Sequence, residues 1–288
     1  MANFESDTLI IKEHLKAITK TKEFRNQENI EQLNETANYI KKVFSKYADS
    51  SSFQKYLVGT DTYKNVIASF GTENQTRIIV GAHYDVCGNQ EGADDNASGV
   101  VGLLELARLL KDKKLKYRID LVAYSLEEPP YFRTENMGSY VHASSLASQN
   151  IDVYGMISLE MIGYFKLEKK SQSYPVGLLS LFYGSRGNYI AFIKKFGAGK
   201  FSRKFYRQFK ASQTIKAKKL AAPVFIAGID YSDHLNYWKF GFSAFMITDT
   251  SFFRNPNYHE PTDTLETLNI QQMKKVIDGV FMSLLKIK

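Results

Sequence analysis

Two histidines and a set of acids stand at spacings that suit metal chemistry. His83 and Asp85 follow the apolar run Ile78-Ile79-Val80, and Asp94 and Asp95 are adjacent in GADDNASG. Glu127 and Glu128 follow RIDLVAY, Glu160 closes VYGMISLE, and His259 stands in NPNYHEPTDT. Zinc takes imidazole nitrogen and carboxylate oxygen. In His-x-Asp on a strand the two side chains share a face, so Asp85 can orient a neighbouring element or back His83 from behind. One acid at a strand end suits a helix cap or a solvated edge equally well. Two histidines and three or four acids at one rim suit a metal. Two zinc ions about 3.5–4 Å apart need a bridging carboxylate, terminal ligands on each side and a shared water. That count leaves one acid over as a general base. The pair Glu127-Glu128 divides in this way, because consecutive residues at a strand end project in different directions.

The elements that must position these residues read as alternating strands and helices. Ile78-Ile79-Val80 is short and β-branched, hence a buried strand. After the acidic loop, Asn96 or Ser98 caps a helix whose Val100, Val101, Leu103, Leu104, Ala107 and Leu110 recur at helical spacing. Helical patterns cover 7–19, 29–47, 138–148, 188–196, 231–240 and 270–287. Strand patterns cover 53–58, 63–70, 118–124, 153–159, 177–183 and 243–248, the first two joined by Gly59-Thr60-Asp61. The alternation predicts an α/β sandwich around a mixed, largely parallel sheet, and in such sheets ligands bind beyond the carboxyl ends of strands. No repeat or linker divides the chain, so residues 1–288 read as one domain, with helices in 1–50 packed on it.

The chain of 288 residues is 44% hydrophobic and 24% charged, which is globular. A single cysteine, Cys87, rules out an internal disulfide framework and fits a reducing compartment. No apolar run approaches the roughly 20 residues of a membrane span, and the first residues lack the pattern of a signal peptide. The expectation is a cytoplasmic protein without stable membrane insertion. Its net charge of +8 comes from residues 194–219, which hold ten Lys or Arg and no acid; the remainder has 28 basic and 30 acidic residues. No nucleic-acid motif accompanies that stretch, which reads as a solvated basic face. Cys87 reads as a small buried residue rather than a ligand, and Ser232-Asp233-His234 cannot form a serine triad from three consecutive residues.

Taken in order, HxD, GADDNASG, EE, an acid after an apolar strand, SDH, and His followed by DT resemble the co-catalytic di-zinc aminopeptidases. These are the leucyl-aminopeptidase-like exopeptidases of metallopeptidase family twenty-eight. The resemblance spans His83 to Thr264, and EEPPYFRTENMGS resembles a bacterial subset with unassigned substrates. It implies a three-layer α/β/α sandwich of the zinc-dependent exopeptidase (phosphorylase/hydrolase-like) fold and two Zn2+ ions per chain. His83 and Glu160 would complete one site, Glu128 and His259 the other, and Asp95 would bridge them, followed by a cis peptide to Asn96. Glu127 would be the general base toward a zinc-bridging water, and Asp85 would orient His83. The SDH segment would lie beside the site, supporting His259 or the transition-state oxyanion, with Tyr231 and Ser232 meeting substrate. The implied substrate is a peptide with a free N-terminus. Alternatives on the same fold are a glutaminyl cyclase with a single zinc, a carboxypeptidase or dipeptidase, and a non-catalytic binding module.

Overall fold

The computed structural model describes residues 5–288. Eight strands form one mixed sheet: β1 (Ser50–Val58), β2 (Asp61–Phe70), β3 (Arg77–His83), β4 (Arg118–Tyr124), β5 (Val153–Glu160), β6 (Ile190–Lys195), β7 (Ala217–Ala222) and β8 (Ala244–Thr248). Their order is β1-β2-β4-β3-β5-β8-β6-β7. The central pairs β4-β3, β3-β5 and β5-β8 are parallel, as is β6-β7 at one edge, while β1-β2, β2-β4 and β8-β6 are antiparallel.

Helices cover both faces of the sheet. On one side lie α1 (Thr8–Thr19), α2 (Ile30–Phe44), α3 (Gly99–Leu110), α6 (Phe201–Ser212) and α8 (Ile270–Lys286), with side chains such as Leu15, Phe44, Leu104, Phe205 and Ile277 in a common core. The other side is covered by α4 (Gly138–Ser148) and α7 (His234–Lys239) through Ala143, Leu146, Tyr237 and Trp238. This is the expected three-layer arrangement. Because both faces are covered, β3 is buried from Ile78 to His83 and β4 from Ile119 to Tyr124, without polar alternation.

Two expectations for the apolar middle of the chain are corrected. Residues 188–196 read as helix, but Ile190–Lys195 is a strand that pairs with β7 and β8. Its Ile190 and Phe192 enter one core and its Ala191 and Ile193 the other. A strand buried on both faces has no period-two signature, so an apolar run of this length does not declare its type. Residues 177–183 read as strand, but Leu179–Tyr183 is a short helix, α5, with no fully buried residue. The basic stretch folds into α6 and β7. Helix α6 buries Phe201, Phe205 and Phe209 and turns Arg203, Lys204, Arg207 and Lys210 to solvent, as a solvated basic face does. Among the described residues no helix is long and apolar enough to cross a membrane.

Candidate metal centre

Three strand ends converge on one rim. Parallel pairing of β3 with β4 and β5 brings His83, the Glu127-Glu128 segment and Glu160 to the same edge. The irregular turn Ala93–Ser98 adds Asp95. In that turn Asp95 and Asn96 leave helical geometry and their peptide bond is cis, as the resemblance implied. The loop before α8 adds His259. Leu126, Met161 and His259 all adopt positive φ (60°, 49° and 58°), a conformation that non-glycine residues seldom take. Each is a candidate site residue or the immediate neighbour of one, so the backbone bends sharply where these side chains are aimed.

The Asp95 carboxylate lies between the two histidines. Oδ1 is 3.3 Å from His83 Nε2 and Oδ2 is 3.2 Å from His259 Nε2. Glu160 Oε2 stands 3.5 Å from His83 Nε2, and Glu128 Oε2 stands 3.2 Å from His259 Nε2. Glu127 Oε2 is 3.9 Å from His83 Nε2. Asp94, the other acid of the pair, is turned away, accepting from Gly163 N and Asn255 Nδ2. All of these acids are buried.

Asp85 binds three of its neighbours at once. Its carboxylate accepts the backbone N–H of Glu127 (3.1 Å) and of Glu128 (3.0 Å), and lies 3.5 Å from His83 Nδ1. Ser232 has no exposed surface, and its hydroxyl donates to Glu160 Oε2 at 2.7 Å rather than meeting His259. Tyr231 is 40% exposed, packs against Phe132 and Phe252, and lines the cavity. Cys87 is half-buried, and its sulfur lies within 4.8 Å of ligand atoms of Glu128 and His259.

The charges explain one another. Burial and the neighbouring Asp95 raise the Glu128 carboxyl to about 7, with His259 opposing. Burial raises Glu127 well above the usual range against the pull of His83, with Glu128, Glu160 and Asp233 adding to the rise. Burial would also raise Asp95, but the imidazoles of His259 and His83 hold it low. His259 resists its own burial because Asp95 and Glu128 hold its proton, up to about 11. A cation placed among these carboxylates would relieve the cost of their burial. One atom points the same way: Glu128 Oε1 is buried without a hydrogen-bond partner. Imidazole nitrogens and carboxylate oxygens grouped as His83-Asp95-Glu160 and around Glu128-His259 are donor sets that zinc accepts.

Several residues support the site from behind; Asn96 was expected as a helix cap, whereas Asp263 and Arg25 carried no assigned role in the sequence reading. Asp263 accepts the backbone N–H groups of Asp94 and Asp95 at 3.0 Å each, fixing the acidic turn. Asn96 Oδ1 accepts from Gly99 N and Met161 N, so it caps α3 and ties it to the end of β5. Arg25, fully buried, donates to the carbonyls of Tyr84 and Gly92 on either side of the ligand loop. Asp233 is buried with both oxygens unpaired, and burial raises it to about 7 while His83 opposes. The DT that follows His259 was a signal for Asp263; nothing local marks Arg25.

The rim opens into a cavity of about 350 Å3 whose lining includes Phe132, Tyr174, Tyr189, Tyr231, Phe252 and Phe253.

Comparison with known proteins bears on the family and the fold. Residues 65–284 match Peptidase family M28. A protein of Escherichia coli K12 described as uncharacterized protein YfbL is 45% identical, over 91% of this chain and 83% of its own length. Leucine aminopeptidase 1 of Metarhizium robertsii is 28% identical over 73% of this chain, which spans about half (51%) of that protein. Among solved structures, a leucine aminopeptidase precursor from Bacteroides thetaiotaomicron superposes with a TM-score of 0.74 at 18% identity, covering 100% of both chains. A glutaminyl cyclase from the same organism, bound to N-acetylhistamine, gives 0.73 at 18% identity and covers 99% of both. These two likenesses are of fold, which hydrolases and cyclases share. The chain itself belongs to peptidase family M28, and with it to the hydrolytic exopeptidases.

Proposed function

We propose that the protein is a zinc-dependent aminopeptidase that removes N-terminal residues from peptides, with two metal ions per chain. His83 and Glu160 would hold one ion, Glu128 and His259 the other, and Asp95 would bridge them. The observation that carries this reading is the split Asp95 carboxylate, one oxygen toward each histidine, flanked by one glutamate on each side. When bound, such a metal pair supplies Lewis acidity that polarises a carbonyl and acidifies water. The chain supplies the rest. Glu127, the acid left over, takes the proton of the attacking water and returns it to the leaving amine. Asp85 sets the directions of Glu127 and Glu128 through their own N–H groups, and Ser232 holds one oxygen of Glu160. Tyr231, which lines the cavity, would donate to the developing oxyanion.

The deciding experiment is elemental analysis of the purified protein, paired with hydrolysis of aminoacyl-arylamides. Near two zinc ions per chain and chelator-sensitive release of arylamine are expected. One zinc per chain, with no hydrolysis but cyclisation of an N-terminal glutamine peptide, would replace the reading with a cyclase. Glu127→Gln should abolish turnover while leaving metal content intact. Loss of both would make Glu127 a ligand instead of the base.

A further inference from the structure

The cavity extends well beyond the metal ligands, and the sheet register gives the direction. Glu160 of β5 stands opposite Thr248 of β8, Thr248 opposite Ala191 of β6, and Ala191 opposite Lys218 of β7. Residues opposite one another in neighbouring strands share a face. All four side chains therefore lie in one row on the cavity side, and all four line it. Strands lie about 4.8 Å apart, so the backbone of Lys218 stands roughly 14 Å from that of Glu160. The two residues between are small, which keeps the floor open. Lys219, next along, pairs with Phe192 and has its side chain on the opposite face, although it too borders the cavity.

Lysines on edge strands commonly guard the edge by reaching into water. Lys218 does otherwise. Its ammonium rests 3.7 Å from the ring centroid of Tyr189 and donates to the Tyr183 carbonyl. The charges acting on it, Lys216 and Arg254, have its own sign, and burial together with them pushes its amine down to about 8. Among the described residues no carboxylate forms an ion pair with it. A half-buried cation without a counter-ion, in the same cavity as a peptide-cleaving centre, is complementary to an anion on the substrate.

We propose that Lys218 anchors a carboxylate-binding subsite at the far end of the cavity, so that the preferred substrates are peptides presenting a carboxylate there. The inference rests on the aminopeptidase reading of the centre. The carboxylate could belong to the side chain of an N-terminal Glu or Asp, or to the C-terminus of a short peptide, and paired substrates separate the two. Metal-loaded wild-type enzyme would be assayed on Leu- and Glu-arylamides, and on Leu-Ala-Ala as the free acid and as its amide. A charge-assisted contact predicts kcat/KM higher by roughly ten-fold or more for the acidic member of one pair. Lys218→Met should collapse that ratio and Lys218→Arg should retain it, with Lys218→Gln as a second uncharged variant if the first fails to fold. The pair that responds identifies the source of the carboxylate. Equal ratios in wild type and the uncharged variants, or no acidic preference in either pair, would overturn the subsite alone. Failure of the metal-loaded wild type to hydrolyse any of the four would overturn the aminopeptidase reading and the subsite with it.

Discussion

Asp85 illustrates how few atoms hold the centre together. Buried to 2% exposure, it touches three of the residues to which we assign a role in bond cleavage. An amide in its place has one acceptor oxygen, and its NH2 group would face a backbone N–H. Asp85→Asn is therefore expected to weaken metal binding about 10–100-fold while the fold persists. Competition against a chelator measures this, with circular dichroism as the control for folding. Unchanged affinity would show that the Glu127-Glu128 turn holds its shape without the carboxylate. His259 depends on its neighbours in another way: Tyr258 stacks on its ring at 3.8 Å, limiting the imidazole to the direction of Asp95 and Glu128.

At the scale of elements, the ligand loop is clamped from a distant part of the chain. Arg25 lies between α1 and α2, far from the centre in sequence. Its guanidinium meets the carbonyls of Ile18, Tyr84, Glu91 and Gly92. Burial lowers its pKa to about 10, with Asp263, Asp85 and Asp95 opposing, so it remains charged at neutral pH. Four buried carbonyls would lose this donor in Arg25→Met. A loss of about 2–4 kcal/mol in unfolding free energy is expected, read from urea denaturation, together with lower metal occupancy. A stability change below about 0.5 kcal/mol would mean that the loop is held by Asp263 alone.

The molecule as a whole keeps neutral histidines in the layer opposite α3. His142 is buried between Tyr124 and Tyr237, with Nδ1 2.6 Å from the Tyr237 hydroxyl. Burial lowers it to about 4, with Asp120 opposing and Arg77 assisting. An unfolded histidine takes up a proton near pH 6.5, whereas folded His142 stays neutral until about 4. The unfolded state thus binds the extra proton in this window. Stability from this site is complete above about 6.5 and is lost as pH falls toward 4. Between pH 7 and 5, the urea midpoint of wild type should fall relative to that of His142→Gln. Parallel midpoints would mean that His142 is already solvated in the native state. His234, whose Nε2 bonds the Ile229 carbonyl and which burial lowers to about 4, contributes with the same sign.

Much of this was legible in the order of residues. The ligand types, their spacing and the strands that end in them are local signals, because a strand end or a capped helix is set by a few neighbouring residues. Helix α4 and strand β4 fall where their patterns place them, at Gly138–Ser148 and Arg118–Tyr124. Which acid of Asp94-Asp95 faces the histidines came from the family resemblance and not from local spacing, since it depends on the backbone of a turn held by Asp263, 168 residues away. Arg25 was hidden for the same reason: its partners are main-chain carbonyls, which have no residue identity to read. The strand β6 was mistaken because burial on two faces erases alternation, and only pairing with β8 and β7 reveals it. Lys218 looked like one of ten solvated cations, and its sequence neighbours are basic too. It enters the cavity because β7 adds to the edge of the sheet in a register that aligns it with Glu160. Residue chemistry is written in the chain; which residues share a rung is decided by contacts between strands far apart in it.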